Sequence, residues 1–553
     1  MRRHCRPIFL LVLMVSIVVA GMAGQSSAAT RPVVTCSNGI VAAAHPLASQ
    51  AGLQILMKGG NAIDAAVATA AVLNVVEPDF SSIAAGGVMM IYHEGTNEIE
   101  CINANAPNPA NASMETLTKD TAQRGYRAGM VPAALKAWCE ALEKYGTMSL
   151  AEVLNPAIEY AEKGFPITRR LSSAIESNSV LLSIYPTSAA IFLPDGTAPQ
   201  PGDILVQKDL ARTMRRVAAE GPDVFYKGEI ADEMANFYQE NGGLFIKDDF
   251  ANYEVEWQKP LHSTYRGYDV YAPGGEFCGA LVLEQLNIVE AFELGTIGNE
   301  SPDVLHLMAE ATKLAGADRD KYIADPMFVD IPEKALVSKE YAAAQRSLID
   351  MAKAMDKVSG GDADKYENTT HISVVDKDGN MVSYTTSIGS SFGTGVVVGN
   401  TGVFFNNGGG WMEFDENHIN KIEPHKRPMN NISPVFVFKD GKPFMNIGTP
   451  GGDAIWQTMF QLVVNVIDFG MDVQSAIEAP RYRIYNFGSN DLRMESRMAE
   501  DLVKDLAARG HRIRMFSDWT MSVGGAQGVV IDYDRGVLMG GADPRRDGYV
   551  VGW

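Results

Sequence analysis

From Ala62 to Val76 the chain is apolar on every side, with only Asp64, Thr69 and Asn74 interrupting it. Such a helix has no face to give to water and has to be covered all round, most simply by lying flat against a sheet. Asp64 and Asn74 make it a poor membrane span. Asn61 is placed to cap its start, and Glu77-Pro78 ends it. Before it, His45-Pro46 opens a periodic stretch through Lys58 that Gly59-Gly60 stops; after it, Gly86 to Tyr92 reads as a buried strand. The first hundred residues therefore predict strand, two helices, strand.

From about Val131 to Asp350 the periodicity is mostly helical. Helical spacing covers Leu135–Lys144, Leu150–Lys163, Leu205–Glu220, Glu229–Asn241, Leu281–Phe292 and Pro302–Tyr322. Met355 to Asn368 is polar and rich in Gly, Asp and Lys, the composition of an exposed linker. Beyond it the pattern turns β: His371–Val375, Met381–Thr385, Val403–Asn406, and a hairpin of Val435–Lys439 with Phe444–Ile447 about Asp440-Gly441. Helices at Ala454–Phe469 and Met498–Arg509 break this region.

The N-terminus has its own order. Arg2, Arg3 and Arg6 precede an apolar run from Phe9 to Ala20, and Ser27-Ala28-Ala29 offers a small-x-small cleavage site before Thr30. That order is a secretory signal peptide over residues 1–29 and predicts a periplasmic or secreted protein with no membrane span in its mature form. Removal of the three arginines takes the formal charge from −20 to −23. A chain this acidic is a poor partner for nucleic acid or anionic membranes. Cys36, Cys101, Cys139 and Cys278 are too scattered for a disulfide scaffold or a zinc site, and the histidines are equally dispersed, so neither metal nor cofactor is expected.

One segment is built for chemistry. Thr369-Thr370-His371-Ile372-Ser373-Val374-Val375 and Met381 to Ser387 flank the turn Asp376–Asn380, whose Asp-Gly is a hairpin signal. Folding about Asp378 pairs Val375 with Met381 and Thr369 with Ser387, placing two hydroxyls ~5 Å apart or less at the base of the hairpin. Thr-rich strands also carry plain solvent-exposed hydroxyls, so the pattern leaves catalysis open. Gly389-Ser390-Ser391-Phe392-Gly393 fits the nucleophile elbow, with His418, His425 and His511 downstream, but that elbow needs a helix directly after the serine. Gly393 to Gly399 is Gly-broken and β-branched instead. Gly448-Thr449-Pro450-Gly451-Gly452-Asp453 runs into a helix and suits either two amides aimed at one oxyanion or a turn with Asp453 as cap.

Taken together the blocks resemble the γ-glutamyltransferases and their acylase relatives. The likeness spans Asn38–Ser49, Gly59–Ala66, Glu77-Pro78, Gly164–Ile167, Glu310–Ala315, Asp325-Pro326, Thr369–His371 and Ser391–Gly395. It continues through Asn406-Asn407, Arg427-Pro428, Ser433-Pro434, Pro450–Gly452, Ala479–Arg481 and Ala542–Gly548. The resemblance implies an α+β fold, the four-layer αββα sandwich of the N-terminal-nucleophile hydrolases. It also implies a proenzyme that cuts itself between Asn368 and Thr369, giving a heterodimer of 30–368 and 369–553. It carries the nucleophile onto Thr369, a supporting hydroxyl onto Ser387 and the oxyanion hole onto Gly451 and Gly452.

The site for the donor's amino-acid head group departs from the family. Asn103 stands where an Arg holds the donor carboxylate, Asn430-Asn431 where a Ser-Ser pair stands, and Gly389 where an Asn meets the α-amine. Gly408 and Trp411 replace a Gln and an Asp. Arg127 is a candidate cation to compensate. The reading is an amidohydrolase acting on a small-molecule amide with altered donor preference. The alternatives are ordinary glutathione hydrolysis or transfer, and a non-catalytic envelope binding protein. The mass of the native protein is expected to begin at Thr30; a retained Met1 in the exported form refutes the leader.

Overall fold

The computed structural model describes residues 30–355 and 368–553. The expected signal peptide, residues 1–29, and most of the linker lie outside them. Two seven-stranded sheets form the centre. One runs in the order Tyr549–Gly552, Ile40–Ala43, Asn368–Val375, Met381–Gly389, Gly86–His93, Glu98–Ala104, Glu256–Gln258. The other runs Val34–Cys36, Val537–Ala542, Gln527–Asp532, Lys442–Gly448, Val435–Lys439, Tyr268–Ala272, Leu261–Tyr265. Every pairing within both sheets is antiparallel.

Alternation along the strands assigns the layers. In the first sheet Val41, Ala43, Met89, Ile91, Ile372, Val374, Val382 and Tyr384 pack in one core with the helix Ala62–Val76. Their neighbours Ile40, Ala42, Val88, Met90, Val375 and Met381 pack toward the second sheet in another. That core also takes the helices Gly279–Val289, Pro302–Tyr322 and Ala454–Ile467. The order helix, sheet, sheet, helix is the four-layer sandwich. The apolar helix is buried along its whole length, starts on an Asn61–Asp64 capping box and ends at Glu77. Asp64 is tolerated there because it accepts from Asn61 N, Thr147 N, Thr147 Oγ1 and Met148 N.

The helices at Leu150–Lys163 and Pro302–Tyr322 fall where their periodicity places them. The largest departure lies in the region read as helical. It contains the strands Glu256–Gln258, Leu261–Tyr265 and Tyr268–Ala272, the last two joined by Arg266 (φ 52°) and Gly267 (φ 80°) in a tight turn. The aromatic and β-branched run around that Gly carried the signal, and edge pairing in two different sheets decided it. Leu205 belongs to a short strand with Phe165, so the helix expected from Leu205 starts at Lys208. The four cysteines are free thiols, and among the described residues no helix is long and apolar enough to cross a membrane.

The sheets are joined by polar groups as well as by packing. Asn446 Nδ2 of the second sheet donates to Val374 O and Val382 O of the first, at 3.1 and 2.8 Å. Asn446→Leu removes both of these bonds between the sheets, at ~0.5–1.5 kcal/mol each, and is expected to lower stability by about 2 kcal/mol. An unchanged urea midpoint refutes that role.

Candidate active site

The hairpin forms in the register read from the turn. Val375 opposes Met381 and Thr369 opposes Ser387, with a bulge between Asn368 and Thr369 that sets Asn368 against Gly389. Thr369 Oγ1 donates to Ser387 Oγ at 3.2 Å, and Ser387 Oγ accepts from Gly389 N at 3.0 Å. Both hydroxyls are buried on the face between the sheets. Thr370, one residue on, points to the helix layer and donates to Glu77 Oε2 at 3.0 Å.

Behind the hydroxyl pair lies His371, held by Thr385 Oγ1 at 2.7 Å and Ser373 Oγ at 2.9 Å. Complete burial drives its pKa down to about 3, so it is neutral and acts as a fixed polar spacer. Ser373 in turn donates to Asn446 Oδ1 at 3.1 Å. His371 also excludes any side chain from Gly448, where a Cβ would lie 2.2 Å from the imidazole.

The strand Lys442–Gly448 delivers the glycine loop. Gly451 has φ +133° and packs against the backbone of Gly524. Thr449 Oγ1 accepts from Gly525 N at 3.0 Å, and Gly525 is pressed against the Arg546 side chain. Arg546 Nη1 donates to Thr369 O at 2.8 Å, so loop and candidate nucleophile share one support. Asp453 makes no capping bond to the helix Ala454–Ile467. It instead accepts from Arg319 Nη1 at 2.8 Å and Asn431 Nδ2 at 2.6 Å, which removes the plain-cap alternative.

Asn430 and Asn431 connect this loop to a second region. Asn430 Nδ2 donates to Asn105 Oδ1 at 3.1 Å, and both Asn103 and Asn105 donate to the buried Glu276 Oε1, at 3.0 and 3.4 Å. Burial raises the Glu276 carboxyl above its ordinary range, opposed by Arg427. Asn103, Asn105, Glu256, Asp325, His425 and Arg427 line a cleft of about 570 Å³. Gly408 and Trp411 bound a 3-10 turn nearer Met130, Gly408 buried and Trp411 half-buried. Gly389 is at φ +86°, and a Cβ there would lie 2.2 Å from Asn407 Oδ1.

The elbow at Ser391 is absent. Phe392 and the turn after it lead to the strand Val397–Val398 with no helix, and Ser391 Oγ accepts from Asn178. His306, Glu310 and His511 converge in a buried group with metal-ligand spacing. Lys313 Nζ, however, lies 2.7 Å from the same Glu310 oxygen, so that carboxylate already holds a cation. Sequence reasoning gave no role to Arg546, Glu77, Glu276 or Arg319. Arg546 and Glu77 sit in blocks that carried the resemblance, but nothing local says what they touch.

The family model described as gamma-glutamyltranspeptidase matches residues 48–553. The chain belongs to this family. It is 36% identical to the glutathione hydrolase proenzyme of Bacillus subtilis (strain 168), over 93% of this chain and 91% of the relative. It is 39% identical to the acylase ACY 1 proenzyme of Pseudomonas sp. (strain SE83), over 93% of each. The crystal structure of cephalosporin acylase from Bacillus halodurans superposes with a TM-score of 0.89 at 35% identity, covering 96% of this chain and 98% of that one. The protein is therefore an N-terminal-nucleophile-type amide hydrolase or acyltransferase, with the fold of that superfamily.

Proposed function

We propose that the protein is exported, cuts itself between Asn368 and Thr369, and then uses Thr369 to cleave an amide through an acyl-enzyme. The observation that carries this reading is the Thr369 hydroxyl, buried beside Ser387 at a bulged strand position directly after the bond to be cut. Thr369 Oγ1 attacks the Asn368 carbonyl carbon, the C–N bond breaks and the nitrogen takes the hydroxyl proton. Water then hydrolyses the ester and leaves a carboxylate on Asn368. The freed α-amine becomes the base that a threonine hydroxyl requires. It accepts the proton as Thr369 attacks the substrate carbonyl, and the leaving amine departs protonated. Water or another amine resolves the acyl-enzyme. The amides of Gly451 and Gly452 are assigned to the oxyanion and Ser387 to orienting the nucleophile. The proenzyme names of the relatives support the self-cleavage.

Thr369→Ala is expected to run as a single inactive chain, and splitting at the same bond in that variant refutes self-cleavage by Thr369. Ser387→Ala is expected to slow turnover ~10²-fold, the scale of a lost positioned hydrogen bond, with Ser387→Thr tolerated. Full activity in Ser387→Ala removes it from the mechanism.

The acyl donor in this reading lacks a free amino-acid head group. Asn103 is tied to an acidic partner, Glu276. Arg427 is spent on Glu256, Glu276 and Asp325. Arg127 does not compensate, since it donates to Gly242 O and Thr116 O. An Asn side chain at 389 would collide with Asn407. Each charge-assisted bond to a carboxylate is worth ~1.5–3 kcal/mol, so losing a bidentate pair costs roughly 10²- to 10³-fold in selectivity. γ-Glutamyl anilide is expected to trail the best acyl amide in kcat/KM by that margin. A γ-glutamyl donor that wins by tenfold restores ordinary glutathione hydrolase activity as the function.

A further inference from the structure

Around the start of the strand Asn368–Val375, a charge network grips the two residues that follow the proposed cleavage point. Glu77, at the end of the apolar helix, is fully buried and takes the Thr370 hydroxyl at 3.0 Å. Arg170 reaches Glu77 at 3.3 Å, Asp79 at 2.7 Å and Asp547 at 3.3 Å. Thr168 Oγ1 donates to Asp547 at 2.7 Å. The Phe80 ring lies between two guanidinium groups, Arg170 at 4.4 Å and Arg546 at 4.7 Å from its centroid. Arg546, itself buried, holds Thr369 O at 2.8 Å. Glu77, Asp79, Thr168 and Arg170 precede the cleavage point; Thr369, Thr370, Arg546 and Asp547 follow it.

The arrangement matters because of what cleavage does to residue 369. Before the cut, the strand is anchored from both directions; afterwards Thr369 is a chain terminus, and termini fray unless tied down. Its hydroxyl has to stay within reach of a donor carbonyl, where a misplacement of ~1 Å costs ~10²-fold. Pairing with Ser387 fixes one edge. The backbone is fixed by the Arg546 bond to the Thr369 carbonyl and by the Thr370 hydroxyl on Glu77.

We propose that Glu77 and Arg546 are positioning residues for the nucleophile: Glu77, from the segment before the cut, acts through Thr370 Oγ1, and Arg546, from the segment after it, acts through Thr369 O, so that the new N-terminus is clamped from both segments. Neither bond involves the face on which Thr369 and Ser387 meet. The clamp therefore acts on the rate of acyl transfer and leaves substrate affinity alone. It rests on the assignment of Thr369 as the self-cleaving nucleophile.

The test uses the full chain with its leader, purified after export, with kcat and KM measured on the best amide substrate and the rate of self-cleavage followed by gel. Thr370→Val keeps the shape and removes the donor; Arg546→Lys keeps the charge and shortens the reach to Thr369 O. Both are expected to slow self-cleavage and to lower kcat by about tenfold or more with KM within twofold, and Thr370→Ser is expected to restore the wild-type values. A folded Thr370→Val chain that fails to cleave supports the clamp equally, provided Thr370→Ser cleaves. The clamp is refuted if Thr370→Val and Arg546→Lys both keep kcat within twofold, if the change falls on KM, or if Thr370→Ser does not rescue. Each of those results leaves the nucleophile assignment standing as long as Thr369→Ala still abolishes cleavage and activity. Cleavage that persists in Thr369→Ala instead fails the assignment itself.

Discussion

The carboxamide of Asn446 ties the two sheets together at the point where the site is built. Its amide hydrogens reach carbonyls on both strands of the Thr369 hairpin, and its oxygen takes the Ser373 hydroxyl that also touches His371. The strand carrying Asn446 runs two residues further to Gly448, which lies on the His371 ring, and then becomes the glycine loop. The height of that loop over the hairpin is thus set by side-chain hydrogen bonds buried between the sheets. Such a network is stabilising only when each member has a partner, which makes it an exacting way to fix two backbones against each other.

Around this seam the protein places an unusual amount of buried charge. Arg481 and Arg545 share Asp543, and Arg545 also takes Glu495. Arg546 follows directly and turns to Thr369. Burial lowers the pKa of Arg481 and of Arg546 to about 10, so both stay charged at neutral pH. Buried ion pairs bring little net stability after desolvation. What they supply here is orientation, because a guanidinium with several fixed partners cannot drift from the carbonyl it holds.

Around the cleft lined by Asn103 and Arg427 the electrostatics run the other way. Glu276 occupies the centre of the Asn103, Asn105 and Arg427 cluster, so the side chains that border the cleft are already engaged with a carboxylate belonging to the protein. The Asn103 carboxamide itself donates to Glu276, and a Cβ at position 389 would lie 2.2 Å from Asn407 Oδ1.

Much of the candidate site's hairpin was legible in the chain because its contacts are local. The turn at Asp376–Asn380 fixes the register by counting, and counting alone brings Thr369 to Ser387. The all-apolar run Ala62–Val76 likewise demands a layered fold, since a helix without a polar face has to be covered on every side. The ordered blocks pointed to the family for the same reason, each being short and contiguous. Tertiary structure decided everything that depends on long separations. The strands at Leu261–Tyr265 and Tyr268–Ala272 became strands by joining a sheet edge. Asp453 became a brace for Asn431 instead of a cap, through Arg319. Arg546 and Glu77 reached Thr369 and Thr370 from opposite ends of the chain. A side chain's partner within a hairpin follows from spacing, whereas a partner hundreds of residues away is set by how the layers close, and no local pattern records it.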